Sequence, residues 1–175
     1  MLSEERDHYG IALSDVLSPY QAFRPPKRVT VAEGVSNNLI IKQTGGSATK
    51  WSAEETPYMV EPMNMMASRR HEAVCFAGPA RTGKTGGLVV GFMTHAVVND
   101  PGDMLIVQMS QEKARDFSKT DIDRAIRYSP NVAALKSHRS SDDNLHDKMF
   151  KHGMFLKIAW PTIGNLSGST YRYAI

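Results

Sequence analysis

A single cysteine, Cys75, occurs in 175 residues, so no disulfide can form within the chain. It sits in the apolar run Ala73-Val74-Cys75-Phe76-Ala77, which predicts a small buried hydrophobe and fits a reducing compartment. No apolar stretch approaches the roughly 18 residues that span a bilayer. The N-terminus, Met1-Leu2-Ser3-Glu4-Glu5-Arg6-Asp7, is charged and lacks the apolar centre of a signal peptide. A soluble, intracellular protein with no membrane partner is therefore expected. Charge of one sign is also scarce, with a net of only +3. Although the pI is near 9.0, so small an excess cannot hold a nucleic acid by its general field. Such contact would need a local patch or a partner. The six histidines form no H-E-x-x-H pair and have no cysteine partners, which argues against a zinc site. No internal repeat or low-complexity tract is visible.

What remains is ordinary globular composition, 41% apolar and 22% charged, enough for one domain with a real core. Residues 1–55 are weakly patterned: a short helix within Leu13–Pro19, a stiff basic break at Arg24-Pro25-Pro26-Lys27-Arg28 and a loop at Thr44-Gly45-Gly46-Ser47. They predict an extended, weakly structured N-terminal arm. From residue 56 the pattern sharpens into one partial domain, 56–175. A turn leads into a short helix whose methionines, Met59, Met63, Met65 and Met66, are expected in the core. The run Ala73–Ala77 reads as a buried strand, and a helix follows from near Lys84 through Val97. Met104–Met109 is a second strand. Ser110 caps a helix from Gln111 to Tyr128, with Ala114, Phe117, Ile122, Ala125 and Ile126 on one face. Residues 136–147 form a polar loop in which Asp142-Asp143 reads as a solvated pair. Met149-Phe150 and Met154–Ile158, around His152-Gly153, signal a hairpin. A further strand opens at Tyr171–Ile175. This alternation predicts an α/β fold with a mostly parallel sheet.

Gly78-Pro79-Ala80-Arg81-Thr82-Gly83-Lys84-Thr85 fits G-x-x-x-x-G-K-[ST] at every fixed position. The spacing lets successive backbone N–H groups converge on the phosphates of a nucleotide. Gly83 allows conformations that a Cβ forbids. Lys84 brings a point charge to the β and γ oxygens, and Thr85 offers a hydroxyl to Mg²⁺. The helix that begins there adds its N-terminal dipole. Two readings of Arg81 stand side by side: a guanidinium that stabilises transition-state charge in cis, or a loop arginine that is solvated or paired with an acid.

An ATPase of this kind also needs an apolar strand ending in Asp or Asp-Glu, to hold Mg²⁺ and orient water. Ala96-Val97-Val98-Asn99-Asp100 has the letters but closes the helix after the loop. Met104–Met109 and Leu156–Trp160 end without a carboxylate. The best candidate is the strand opening at Arg172-Tyr173-Ala174-Ile175, where no acid has yet appeared. The chain is thus expected to lack its catalytic carboxylates, as a fragment or a truncated reading frame.

Taken in order, the stretch Thr56–Ile175 resembles the ATPase domain of the lambda-like phage terminase large subunit. The likeness runs through Thr56-Pro57-Tyr58 with Glu61-Pro62-Met63, the glycine-rich loop, Asp100-Pro101-Gly102-Asp103-Met104-Leu105 and Gln108. It continues through Ala114–Lys119, Ser129-Pro130, Asn165-Leu166-Ser167-Gly168-Ser169 and Tyr171-Arg172-Tyr173. The resemblance implies a P-loop NTPase fold (RecA/ASCE-like), incomplete at its C-terminal end. It implies binding of ATP and Mg²⁺ through residues 78–85, with Lys84 and Arg81 catalytic and Arg81 acting in cis. By analogy, Pro57 and Tyr58 lie near the adenine. The implied partners are double-stranded viral DNA, a small terminase subunit and the portal protein. The implied location is the host cytoplasm, transiently at the capsid portal. Two other readings are a helicase-like DNA-dependent NTPase and a truncated, non-catalytic interaction module.

Overall fold

Thr30 caps the first helix, α1 (Val31–Asn38), its hydroxyl accepting from the Glu33 N–H at 3.3 Å. The computed structural model describes residues 28–42, 45–139 and 142–175. The helix expected within 13–19 and most of the basic break at 24–28 lie outside the described residues. Strands β1 (Ile40–Lys42) and β2 (Ala48–Lys50) pair antiparallel, and between them Gly45 has a φ of 76°. Val31, Val35, Leu39 and Trp51 are buried in the same core as the rest of the chain. Buried residues on both sides of position 55 share this core. From Val31 onward the expected arm is a helix and a hairpin, because its apolar side chains have a core to enter.

A 3₁₀ turn (Pro57–Met59) leads into α2 (Val60–Met66), where Met59 and Met63 are buried, Met66 is half-buried and Met65 is exposed. Beyond the glycine-rich loop, a wide π-helical segment (Thr85–Gly91) continues as α3 (Phe92–Asn99). Leu88, Val90, Phe92, Met93, Ala96 and Val97 are buried there, close to the face the periodicity predicts. Burying each large apolar side chain is worth roughly 1.5–3 kcal/mol. Next come β3 (Met104–Val107) and α4 (Gln111–Phe117), capped by the Ser110 hydroxyl, which accepts from Lys113 N–H at 3.2 Å. A π-helical turn (Ser118–Ile122) joins α4 to α5 (Asp123–Tyr128), and the expected face from Ala114 to Ile126 is buried. The remaining elements are α6 (Pro130–Leu135), β4 (Asp147–Met149), β5 (Phe155–Ala159), α7 (Ile163–Leu166) and β6 (Tyr173–Ala174).

The larger sheet has the order β4-β5-β3-β6. β3 runs parallel to β5 and to β6, and β4 closes a hairpin with β5. A mixed α/β architecture with a mostly parallel sheet is what the alternation predicts. No helix among the described residues is long and apolar enough to cross a membrane.

Two expectations are corrected. Ala73–Ala77 is irregular rather than a buried strand, and Cys75 is exposed. A strand requires a hydrogen-bonded neighbour, and this segment has none among the described residues. It faces the free edge of β6 across a cavity of about 410 Å³, lined by His71–Val74 on one side and Arg172–Ile175 on the other. Nor is Asp142-Asp143 a solvated pair. Asp143 bridges Lys136 at 2.5 Å and the buried Lys148 at 3.2 Å, while Asp142 accepts from Ser137 Oγ at 2.6 Å. Lys148 also meets Asp123 at 2.7 Å, so its buried charge is compensated twice. Desolvation raises the Asp143 carboxyl, but hydrogen bonds from Lys136 and Lys148 outweigh it and hold the group below its ordinary range.

Candidate functional site

The residues singled out by spacing form one loop at the start of the helix that ends in α3. Gly83 has a φ of 77°, a backbone conformation that strains any side chain. Arg81 also lies in the left-handed region, at 61°, although it carries a Cβ. Alternation of this kind turns consecutive amides toward one side and makes an anion nest. Among the described residues, none of the backbone N–H groups from Arg81 to Gly86 has an acceptor. Only with Gly87, whose N–H donates to the Gly83 carbonyl at 2.7 Å, does the helical ladder begin.

Three side chains fix the loop. Thr82 Oγ1 donates to the Pro79 carbonyl at 3.0 Å. From outside, the Tyr58 hydroxyl donates to the Thr82 carbonyl at 2.9 Å. Lys84 arches back, and its Nζ donates to the carbonyls of Pro79 and, at 2.8 Å, Gly78. The ammonium thus stands at the loop rather than in solvent, and a phosphate oxygen can replace a carbonyl as its acceptor. Thr85 opens the helix on an exposed turn, and Arg81 is exposed and makes no ion pair among the described residues.

Beside the loop lies a second cavity of about 410 Å³, lined by Ile41, Trp51, Met59, Gly83, Gly86 and Gly87 among others. Sequence reasoning missed Ile41 and Trp51. The signal was faint: the glycine pair Gly45-Gly46 follows the apolar run Leu39-Ile40-Ile41, as before a hairpin turn. Pro57 and Tyr58, the residues expected near the adenine, are not part of its lining; their neighbours Thr56 and Met59 are, and Tyr58 braces the loop.

The far end of the same helix is tied to the sheet. Asp100 Oδ2 accepts from Arg172 Nη2 at 2.7 Å and from the Tyr173 hydroxyl at 2.8 Å. Burial, reinforced by this bond to Asp100, raises the Tyr173 phenol, so it stays protonated as a donor. Tyr173 also meets Phe92 edge-on, with ring centroids 5.0 Å apart. The helix that carries the loop is therefore anchored to β6, the strand where the sequence places the approach to a catalytic acid.

These features define a mixed α/β protein with a glycine-rich, amide-lined loop at the head of a buried helix. Residues 45–175 match the family model described as phage terminase large subunit gpA, ATPase domain. The chain belongs to that family and is the ATP-binding part of a phage DNA-packaging motor. No curated protein and no solved structure matches it.

Proposed function

We propose that Gly78–Thr85 is a P-loop that holds the triphosphate of Mg-ATP within a RecA/ASCE-like domain whose catalytic part is 56–175. One observation carries this reading: the unbroken run of amides from Arg81 to Gly86 without an acceptor, set around Lys84. Donors gathered without protein acceptors at the start of a helix form an anion site, and one anion can satisfy several of them together. Gly78, Pro79 and Ala80 shape the entry to the loop, and Thr82 locks it. Lys84 orients the β and γ oxygens, the Thr85 hydroxyl is a ligand for Mg²⁺, and Arg81 reaches the γ-phosphate from the same chain. Bound ATP supplies the phosphoanhydride whose hydrolysis powers movement of double-stranded DNA.

The deciding measurement is affinity for a labelled ATP analogue with Mg²⁺. Lys84→Ala is expected to abolish binding, and equal affinity in the two proteins would remove the proposal. Steady-state hydrolysis by residues 1–175 is expected to be slight, since no acid follows the β6 opening within them. Robust turnover that depends on Lys84 would show that carboxylates elsewhere in the chain serve. Within the motor, the proposed partners are viral DNA, a small terminase subunit and the portal, met in the host cytoplasm and at the capsid. Nucleotide-dependent capture of the small subunit supports this role, and capture that ignores nucleotide supports a scaffold instead.

A further inference from the structure

We propose that the outer face of the π-helical turn and α5, around Lys119, Arg124 and Arg127, seats the phosphate backbone of double-stranded DNA; the inference rests on the chain being part of a DNA-packaging motor. A net charge of +3 gives the protein no general field that could hold a polyanion, so any such contact must come from a local patch. These three cations line one polar cavity of about 250 Å³, together with Asp123 and Tyr128.

The charges there do not cancel. Asp123, the acid in that lining, is already bound to the buried Lys148 at 2.7 Å. Arg127 also lines the adjoining cavity, where Asp143 is taken by Lys136 and Lys148. Asp121 lines a different cavity and accepts from Thr120 Oγ1 at 2.6 Å. Lys119 and Arg127 are exposed and enter no ion pair among the described residues. Arg124 donates from Nη1 to the Lys42 carbonyl at 3.4 Å, a bond that leaves its charge uncompensated. Like charges gathered on neighbouring helical turns repel, and a bound polyanion offsets that cost.

The spacing suits a duplex. From Lys119 to Arg127 the helical chain rises about 12 Å. One strand of a DNA duplex advances about 3.4 Å along the axis per phosphate, so the stripe covers roughly three phosphates of one strand. Tyr128, in the same lining, carries a hydroxyl, a further donor for phosphate oxygens. The patch also borders the nucleotide-binding helix. Arg124 lines this cavity and a smaller one that it shares with Gly86 and Val90 of the π-helical segment after the loop. A strand seated here is thus one side chain away from the helix that carries the phosphate loop.

The test is fluorescence anisotropy of a labelled duplex of about 20 base pairs with residues 1–175, titrated between about 50 and 200 mM salt. Engagement of three phosphates predicts that affinity falls about 40-fold over that range. Lys119→Gln with Arg127→Gln removes two exposed charges and leaves the Arg124 bond in place. This pair should weaken duplex binding at least about tenfold at the lower salt and reduce the logarithmic salt slope by about two. Its thermal midpoint and its affinity for the ATP analogue should match the wild type, which separates this face from the phosphate loop. Arg69→Gln with Arg70→Gln removes the same charge from another exposed site, and should change duplex binding by less than about threefold. If the two pairs lose affinity equally, or neither loses any, the seat is overturned while the DNA reading of the chain stands. If the wild type does not bind the duplex at all, both fail. Polyglutamate of matched charge tests an acidic protein segment as the occupant. Binding as tight as the duplex, lost in the same 119 and 127 pair, would assign the face to a protein and overturn the DNA seat.

Discussion

The Tyr58 hydroxyl donates to the Thr82 carbonyl at 2.9 Å, so the turn before α2 grips the phosphate loop from outside. The bond joins residues 24 apart in sequence and lies at the surface. A neutral hydrogen bond of this kind contributes about 0.5–1.5 kcal/mol. Tyr58→Phe should therefore lower the thermal midpoint by no more than about 5 °C and weaken ATP binding by roughly 2- to 10-fold, because the loop must then be ordered by the ligand. Calorimetric titration of the variant checks this. A loss as large as that of Lys84→Ala would mean that Tyr58 touches the nucleotide itself.

Arg81 combines a φ of 61° with an exposed guanidinium that has no ion-pair partner among the described residues. The left-handed backbone costs about 1–2 kcal/mol for any residue with a Cβ. Alanine keeps that cost, so Arg81→Ala isolates the charge. If the guanidinium meets the γ-phosphate, the variant should lose about 10- to 100-fold in ATP affinity, the worth of a charged hydrogen bond, with ADP little affected. Parallel titrations with ATP and ADP decide it, and equal losses for both would place Arg81 away from the terminal phosphate.

Much of this fold is legible in the sequence because apolar spacing states which face of each element is buried. Ala114, Phe117, Ile122, Ala125 and Ile126 recur at helical intervals, and each is buried as that rhythm requires. The glycine-rich loop is legible because its backbone geometry demands specific residues at fixed places. The failures share one cause. Ala73–Ala77 has the composition of an inner strand, but composition cannot supply the neighbouring strand that would bond it. The Ile41–Trp51 wall was hidden for the converse reason: its residues come from two short runs that mean little until the turn at Gly45 brings them together. Asp142-Asp143 reads as a solvated pair in the sequence because the lysines that Asp143 meets, Lys136 and Lys148, are brought to it only by folding.

Gly34 is where α1 meets α3. A Cβ there would fall 2.3 Å from His95 Nδ1 and 2.8 Å from Asn99 Nδ2. Alanine is the better helix former by about 1 kcal/mol, so propensity alone predicts a gain. The clash with a buried histidine wins, because overpacking forces side chains and backbone to shift at a cost of about 1–3 kcal/mol. Gly34→Ala should thus lower the urea midpoint without changing the slope of the transition. A midpoint equal to or above the wild type would show that His95 moves aside freely.

His95 itself makes the fold sensitive to mild acid. Burial lowers its pKa, and the opposing influence of Asp100 is too weak to restore it. In the folded protein the imidazole therefore stays neutral below the ordinary histidine value of about 6.5, whereas in the unfolded chain it takes up a proton there. Over that interval the unfolded state binds more protons, so stability rises with pH and falls on acidification. The contribution is fully present above about pH 6.5 and is lost progressively as the pH drops toward the folded-state value. Asp143 adds a loss of its own, but only at lower pH, because its carboxyl is held below the ordinary range. The two can be separated with His95→Gln, which keeps a polar side chain beside Asn99 and removes the titration. Thermal midpoints measured from pH 7.5 to 5 should fall more steeply in the wild type than in the variant. Parallel curves would mean that the buried imidazole gains its proton without cost and that the acid sensitivity of this fold lies elsewhere.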